Sequence, residues 1–493
     1  MAIVDDRGRV DDVIDRHWAY ARRFSMGSDL NQYQMFVQQF GVLGDGTTDN
    51  TVALQAAINA ACAVNGALIF PYGKYITGPL TIGATGNYGS CSLLGERMDA
   101  QYANASRTTT NGTIISLKSQ GNGHLINVPP ANASDVGPGP PLISDLWLDG
   151  NSSAQTGSYW LIDLPSHSAT GNKARSIFLD RVRGSNAGGG LRVGNLRNAG
   201  FMKGCAFLNT TASAAVQLNS NSDWRFIDND LWANSGLPSF YSPGGGSVIF
   251  TATNFFSTTS THGVKIDAAA GDHTFYGCSF DRNARSGIYI IGDATTQDPV
   301  MLIGCRFTLN STLSSGTYSD IICDTNKRVG VIGCTFEKGT TSRSKHCIET
   351  INGASNIIAV GNFLKQDSGG LQPYGTSFTN DTGSVIQIGD ELTAKNFWID
   401  YDANAVNRVR VKGGTAFNPA IVGANGDADA GLSLYAESTG DLTLGRTTNK
   451  LAFYGQSPAV TKRTITGAKG GNAALTSLLT QLAATGLIID STT

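Results

Sequence analysis

The chain has no run of about 18 apolar residues, so nothing in it is long enough to span a bilayer as a helix. Charged residues are 15% of the 493 and their net balance is −2, which gives a polyanion such as a nucleic acid little to hold. The eight cysteines include no Cys-x-x-Cys pair, so a zinc site is not expected. Gly-x-Ser-x-Gly, His-Glu-x-x-His and phosphate-loop signatures are also missing. That removes serine-elbow hydrolases, zinc proteases and nucleotide enzymes. The opening residues, Met1-Ala2-Ile3-Val4-Asp5-Asp6-Arg7, lack the basic and apolar regions of a signal peptide. The expectation is assembly in a cytoplasm, with reduced thiols and no metal or other cofactor.

What the chain has is glycine, 60 residues of it, distributed over a repeat. Seven near-copies of one tetrapeptide run from Lys203 to Lys365. They are Gly204-Cys205-Ala206-Phe207, Asp228-Asn229-Asp230-Leu231, Thr253-Asn254-Phe255-Phe256, Gly277-Cys278-Ser279-Phe280, Gly304-Cys305-Arg306-Phe307, Gly333-Cys334-Thr335-Phe336 and Gly361-Asn362-Phe363-Leu364. The second position advances by 24, 25, 24, 27, 29 and 28 residues. A period of this size marks a solenoid, in which each repeat buries its apolar face only against its neighbours. Each repeat is too short for two ordinary helices and is rich in Gly, Ser, Thr and Asn, so the expected fold is all-β, a parallel β-helix. Strand side chains alternate between faces, which puts the Cys/Asn and Phe/Leu columns together inside and the positions between them outside. Asp180, 25 residues before Cys205, extends the ladder one coil upstream. A second apolar motif recurs at Gly190-Leu191-Arg192-Val193, Ala215-Val216-Gln217-Leu218, Gly263-Val264-Lys265-Ile266, Gly287-Ile288-Tyr289-Ile290 and Asp320-Ile321-Ile322-Cys323. Two strands per coil are visible. Cys205, Cys278, Cys305 and Cys334 then read as small interior hydrophobes, with Cys323 and Cys347 in the second motif.

Both flanks differ from the ladder. Residues 9–24 carry Val10, Val13, Ile14, His17, Trp18 and Ala21 at helical spacing, a helix that either lies over the body or docks onto another protein. After Phe40 comes Asp45-Gly46-Thr47-Thr48-Asp49-Asn50, then a helix capped by Asp49 or Asn50, with Val52, Leu54, Ala57, Ile58 and Ala61 on its apolar face and Gly66 at its end. No Glu completes a calcium-binding set around Asp45, so a turn is the reading. A strand, Ala67 to Tyr75, follows. This helix plugs the open end of the solenoid, whose first coil would otherwise expose its core and edge. Beyond residue 413 the ladder stops. Short alternating segments replace it (Leu432–Tyr435, Leu442–Gly445), then an amphipathic helix over 472–485 and apolar Gly486-Leu487-Ile488-Ile489. Hairpins this small form no core alone, so the C-terminal region is expected to close a symmetric oligomer, a trimer.

The stretch from Phe40 to Tyr75 resembles the opening segment of pectate-lyase-like β-helix proteins, in the version that begins bacteriophage tailspikes. The resemblance rests on the Gly-Asp-Gly-x-x-Asp turn, the Ala-rich helix and Phe70-Pro71-Tyr72-Gly73-Lys74-Tyr75 in order. Lys450–Gly455 and Gly467–Leu475 resemble the ends of phage tail fibres and spikes. The resemblance implies a right-handed, single-stranded parallel β-helix with an N-terminal helical segment and a C-terminal trimerising β/α cap. It also implies a homotrimer in the virion tail that binds, and often cuts, bacterial surface polysaccharide. The expected parts are residues 1–39 for docking to virion tail proteins, 40–80 for the cap and opening coil, 81–412 for the solenoid, and 413–493 for trimerisation.

Glycoside hydrolysis needs two carboxylates flanking the bond, about 5–5.5 Å apart for retention or about 6.5–9.5 Å for inversion. The outward residue after the ladder Phe is acidic at Asp281 and Glu337, two coils or roughly 9.6 Å apart. Arg282, Arg285, Lys338, Arg343 and His346 lie near them in sequence and would bind an acidic sugar. A second pair is Asp228 and Asp230, outward by the same parity and roughly 6.6 Å apart along a strand, with Trp224 and Trp232 near enough to stack on sugar rings. Against both stands the ordinary reading that outward carboxylates are solvated and that Asp281-Arg282-Asn283 is turn chemistry. No cluster of Asp ligands beside a basic residue stands out for a calcium-assisted lyase, and Thr261-His262-Gly263 is only a faint echo of the polygalacturonase signatures. Hydrolysis is therefore favoured over elimination. Three functions stay open: a tailspike that depolymerises glycan, a non-catalytic adhesin, and a free β-helix lyase or hydrolase.

Overall fold

The computed structural model describes residues 33–83, 90–96, 112–129, 140–166, 176–195, 200–220, 223–234, 236–244, 246–256, 258–292, 298–324, 328–338, 344–351, 357–366, 386–388, 463–484 and 488–492. They fall into two units, a long one within 33–388 and a small one within 463–492. The expected helix at 9–24, the hairpins at 432–445 and the side chains of Lys338 and Arg343 lie outside the described residues.

The long unit is a parallel β-helix of three sheets, with 13, 12 and 10 described strands. One coil contains all three. Val300–Ile303 lies in sheet 1, Arg306–Thr308 in sheet 2 and Ile321–Asp324 in sheet 3. Each pairs in parallel with its counterparts one coil away on both sides. The third strand per coil escaped the sequence reading because only two residues, such as Gly304-Cys305, separate sheet 1 from sheet 2. The bend is made by a left-handed residue: Gly204, Gly277, Gly304, Gly333 and Gly361 hold φ between 58° and 61°. Glycine takes that conformation without steric penalty. Asp228 and Ala252 do the same work at φ 54° and 50°.

Register corrects the ladder in two places. Phe255, not Phe256, pairs with Phe280, so Thr253 and Phe255 are the inward residues and both are fully buried. A Phe-Phe dipeptide offers two frames, and a one-residue slip exchanges the faces. Upstream, Arg183 pairs with Ala206, which makes Val182 and not Asp180 the partner of Cys205. Asp180 ends a sheet 1 strand and is ion-paired to Arg181 at 2.6 Å. With these changes the interior holds two stacked aromatic columns. Phe226, Phe250 and Phe275 stack at 4.7 and 4.8 Å in sheet 1. Phe255, Phe280, Phe307 and Phe336 stack at 5.2, 4.6 and 4.9 Å in sheet 2. All eight cysteines are buried.

Helix α1, Thr51–Ala63, covers the first coils through Leu54, Ala57, Ile58, Ala61 and Cys62. These occupy i, i+3, i+4, i+7 and i+8, one stripe of a helix. Val52 lies off that stripe and is 84% exposed, contrary to the expected face. Asp49 accepts the Thr51 N–H at 3.0 Å, while the Asn50 amide instead holds the Leu43 N–H and C=O. The turn reading of Asp45 holds: its carboxylate accepts from the Thr47 and Thr48 N–H groups. The left-handed residue after α1 is Asn65, not Gly66. The expected strand from Ala67 to Tyr75 is two strands, Ala67–Phe70 and Gly73–Thr77, split between sheets 1 and 2.

In the small unit, strands Arg463–Gly467 and Ile488–Thr492 pair in parallel around helix α2, Ala473–Ala484. Asn472 caps α2 through the Ala474 and Leu475 N–H groups. Leu479 is buried, whereas Leu475 and Leu478 are 39% and 56% exposed on the single chain.

Candidate functional site

The outward column of sheet 2 gathers residues that the sequence keeps about 25 positions apart. Register places Phe256 beside Asp281, Asp281 beside Thr308 and Thr308 beside Glu337. Trp232, on the coil before Phe256, stacks on it with ring centroids 6.2 Å apart and planes 26° apart. The strip therefore runs from two aromatic rungs to two carboxylates, with a threonine between the carboxylates. Two strand spacings separate Asp281 from Glu337, about 9.6 Å at the Cα atoms, just above the roughly 9.5 Å at which the carboxyl range for inversion ends.

The two carboxylates differ in environment. Asp281 is half-buried, and burial raises its pKa above the usual carboxylate value against the opposing pull of Arg282 and Arg306, with Glu337 adding to the rise. Its Oδ1 and the Thr308 Oγ1 are buried without a hydrogen-bond partner in the protein. Glu337 accepts from Arg306 Nη2 at 2.7 Å. Asp281 thus gives up its proton less readily than an ordinary aspartate, while Glu337 is matched to the Arg306 cation. This is the asymmetry an acid–base pair requires.

The second predicted pair fares differently. Asp228 is the left-handed bend residue and exposed, so it is not on the strand with Asp230. Asp230 accepts from Asn254 Nδ2 at 2.7 Å, and burial raises its pKa. Trp224 points into the core and is fully buried, stacked on Phe226 at 5.7 Å, which removes it from any sugar. Arg282 follows Asp281 directly in the exposed bend at φ 51°. Arg285 lies instead on the turn into sheet 3, over the Tyr318 ring at 5.4 Å. His346 is on the same side, its C=O receiving the Asp320 N–H. Arg306 was missed by the sequence reading, although its place between the Cys and Phe columns already marked it as outward.

A second outward column, on sheet 3, was not anticipated. Asp163, Arg192, Gln217, Tyr241, Lys265 and Tyr289 stand in register on successive coils. Arg192 clamps the buried Asp163 at 2.6 and 2.9 Å, and His124 approaches it at 3.4 Å. Lys265 lies 5.1 Å from the Tyr241 ring and 2.9 Å from Asp267. The Tyr241 and Tyr289 hydroxyls donate to Asp267 and Asp324 at 2.5 and 2.7 Å. Burial, reinforced by those carboxylates, pushes both phenols up to about 12. The signal lay in the central residues of the second apolar motif, Arg192, Gln217, Lys265 and Tyr289, which alternate outward.

Among the described residues no group of three His, Cys, Asp or Glu side chains is placed to hold a metal. No protein-family model matches the chain. It is 24% identical over 426 residues to a Klebsiella phage K5-2 protein, "Depolymerase 1, capsule K30/K69-specific". The match covers 80% of this chain and 48% of that protein, so the chain spans about half the length of this curated relative. The fold is shared with the mannuronan C-5 epimerase AlgE4 A-module of Azotobacter vinelandii (TM-score 0.51, 16% identity, 74% of this chain and 100% of that one). It is shared too with tailspike protein 2 of an Escherichia coli O157:H7 bacteriophage (TM-score 0.50, 12% identity, 66% of this chain and 42% of that one). The architecture of this chain is the parallel β-helix that these two proteins share.

Proposed function

We propose that the chain is a receptor-binding polysaccharide depolymerase of a phage tail, acting on bacterial surface polysaccharide by glycoside hydrolysis. The observation that carries the chemistry is the sheet 2 strip, in which Asp281, with its raised pKa, and Glu337, paired to Arg306, stand on either side of Thr308 in one outward column. Its likeness to the capsule depolymerase of a Klebsiella phage supports the substrate class. Glu337 takes a proton from water as the water oxygen bonds to the anomeric carbon, and the Asp281 proton passes to the departing glycosidic oxygen. The separation leaves room for that water and predicts inversion. Trp232 and Phe256 offer the stacking surface below the acids, and Arg282 and Arg306 would meet an acidic sugar. Leu475 and Leu478 on α2 fit a homotrimer contact, and residues 1–39 are assigned to docking on virion tail proteins.

The test is to incubate purified protein with capsular polysaccharides from Klebsiella and Escherichia strains and follow new reducing ends. Hydrolysis releases reducing ends without absorbance near 235 nm on this reading; an unsaturated, absorbing product would make the enzyme a lyase. Capture of a capsule with no cleavage would leave a non-catalytic adhesin.

A further inference from the structure

The sheet 3 column is not used by this mechanism, yet it is not ordinary solvated surface. Its rings and charges are held before any ligand arrives. Lys265 stands between Tyr241 and Tyr289 on adjacent strands, and both phenols are anchored through their oxygens. His262 backs Tyr289, its ring 4.8 Å away and inclined by 29°. His262 is itself buried and accepts the Ser286 N–H at 3.3 Å. Pre-oriented rings lose little entropy on binding.

We infer that this face is a second glycan-binding site, in which Tyr241 and Tyr289 pack against pyranose rings, Lys265 and Asp267 exchange hydrogen bonds with sugar hydroxyls, and the buried Asp324 holds the Tyr289 phenol in place. The inference rests on the glycan-directed reading above, though not on the sheet 2 acids being catalytic. Three observations favour a saccharide over other partners. Arg192 is balanced by Asp163 and Lys265 by Asp267, so the face lacks the single-sign field that a nucleic acid or a phosphorylated surface would need. Its polar groups are interleaved with aromatic rings, which suits a ligand with apolar ring faces and a hydroxylated rim. Its outward residues repeat once per strand, about 4.8 Å, giving a linear track suited to a linear polymer. A chain caught on sheet 3 stays near sheet 2 of the same coils, and the tether raises its effective concentration at the acids.

The test uses the full chain carrying Glu337→Gln, so that any bound polymer stays intact, with capsular polysaccharides immobilised from the same panel. Tyr241→Ala and Tyr289→Ala are each expected to weaken capture by roughly three- to tenfold, the range for one aromatic contact. Tyr241→Phe and Tyr289→Phe, which keep the rings, lose less. In the chain with native Glu337, Tyr241→Ala is expected to raise KM for polymer while leaving kcat within about twofold. Unchanged capture by both alanine variants, with an unchanged melting temperature, overturns the inference. So does a collapse of kcat on a short oligosaccharide in Tyr241→Ala, which moves the reaction itself to sheet 3. If no capsule is cleaved by the native chain but capture still depends on the tyrosines, the hydrolase reading fails and this one stands.

Discussion

Replacing Phe255 and Phe256 one at a time tests the frame in which the solenoid is built. Phe255 is fully buried, with Phe280 stacked on one side at 5.2 Å and Phe250 edge-on at the same distance. Phe255→Ala removes a whole ring from a packed interior, and the neighbours are coils fixed by their own hydrogen bonds, so the space cannot close. Such truncations cost about 3–5 kcal/mol. Phe256 lies half-exposed on the outer face with Trp232 as its aromatic neighbour. Phe256→Ala forfeits that stack and a little burial, about 0.5–1.5 kcal/mol. The two neighbouring substitutions should therefore differ by about 1.5 kcal/mol or more, read as urea-unfolding midpoints at a common slope. Equal losses, or a larger loss for Phe256→Ala, would refute the register and return Phe256 to the core. The same pair tests function in reverse, since Phe256→Ala should weaken glycan cleavage while costing much less stability than Phe255→Ala.

Two other outcomes follow from the same geometry. Burial, helped by Arg285 and Lys265, lowers the pKa of His262 to about 3, whereas an unfolded imidazole protonates near about 6.5. Between those values the unfolded chain binds more protons, so stability is lost as pH falls from about 6.5 toward about 3. His262→Phe costs about 1–3 kcal/mol by orphaning the Ser286 N–H, but its stability should decline less steeply over that range; parallel pH profiles would show that His262 does not carry the effect. Light scattering should give a trimer of the 51.7 kDa chain that dissociates when residues 413–493 are removed, and a monomer in both cases would contradict the assembly proposed here.

The solenoid was legible because its period is covalent: Gly-Cys-x-Phe recurs wherever a bend and an inward ring recur. Sheet 3 was legible for the same reason, through the small residue before Leu191, Val216, Val264 and Ile288. Sheet 1 was not, because the bend between it and sheet 2 is only two residues long and its glycine reads as the start of the ladder strand. Phe255-Phe256 could be read in either frame, and only hydrogen-bond register decides between them. Among the candidate residues, the outward position of Asp281 and Glu337 followed from alternation, while Trp232 entered only through its nearness to Asp230. Trp224 failed because it belongs to sheet 1, whose existence was not inferred, and there alternation turns it inward. The Asp228 assignment failed because it treated a left-handed bend as continuing strand. Arg306 with Glu337, and Tyr241 with Asp267, join different coils through contacts between residues 26 and 31 positions apart, a pairing that emerges only after coils are stacked.

The most direct test of the central claim is the rate of reducing-end release from a susceptible capsular polysaccharide by Asp281→Asn and Glu337→Gln, each measured across pH. Loss of one acid–base partner should lower kcat by about 10²–10⁴. In the native chain activity should fall as rising pH strips the proton from Asp281, whose raised pKa puts that limb above the position an ordinary aspartate would give it. Full rates in both folded variants, with an unmoved alkaline limb, would contradict the account and remove the reaction from sheet 2.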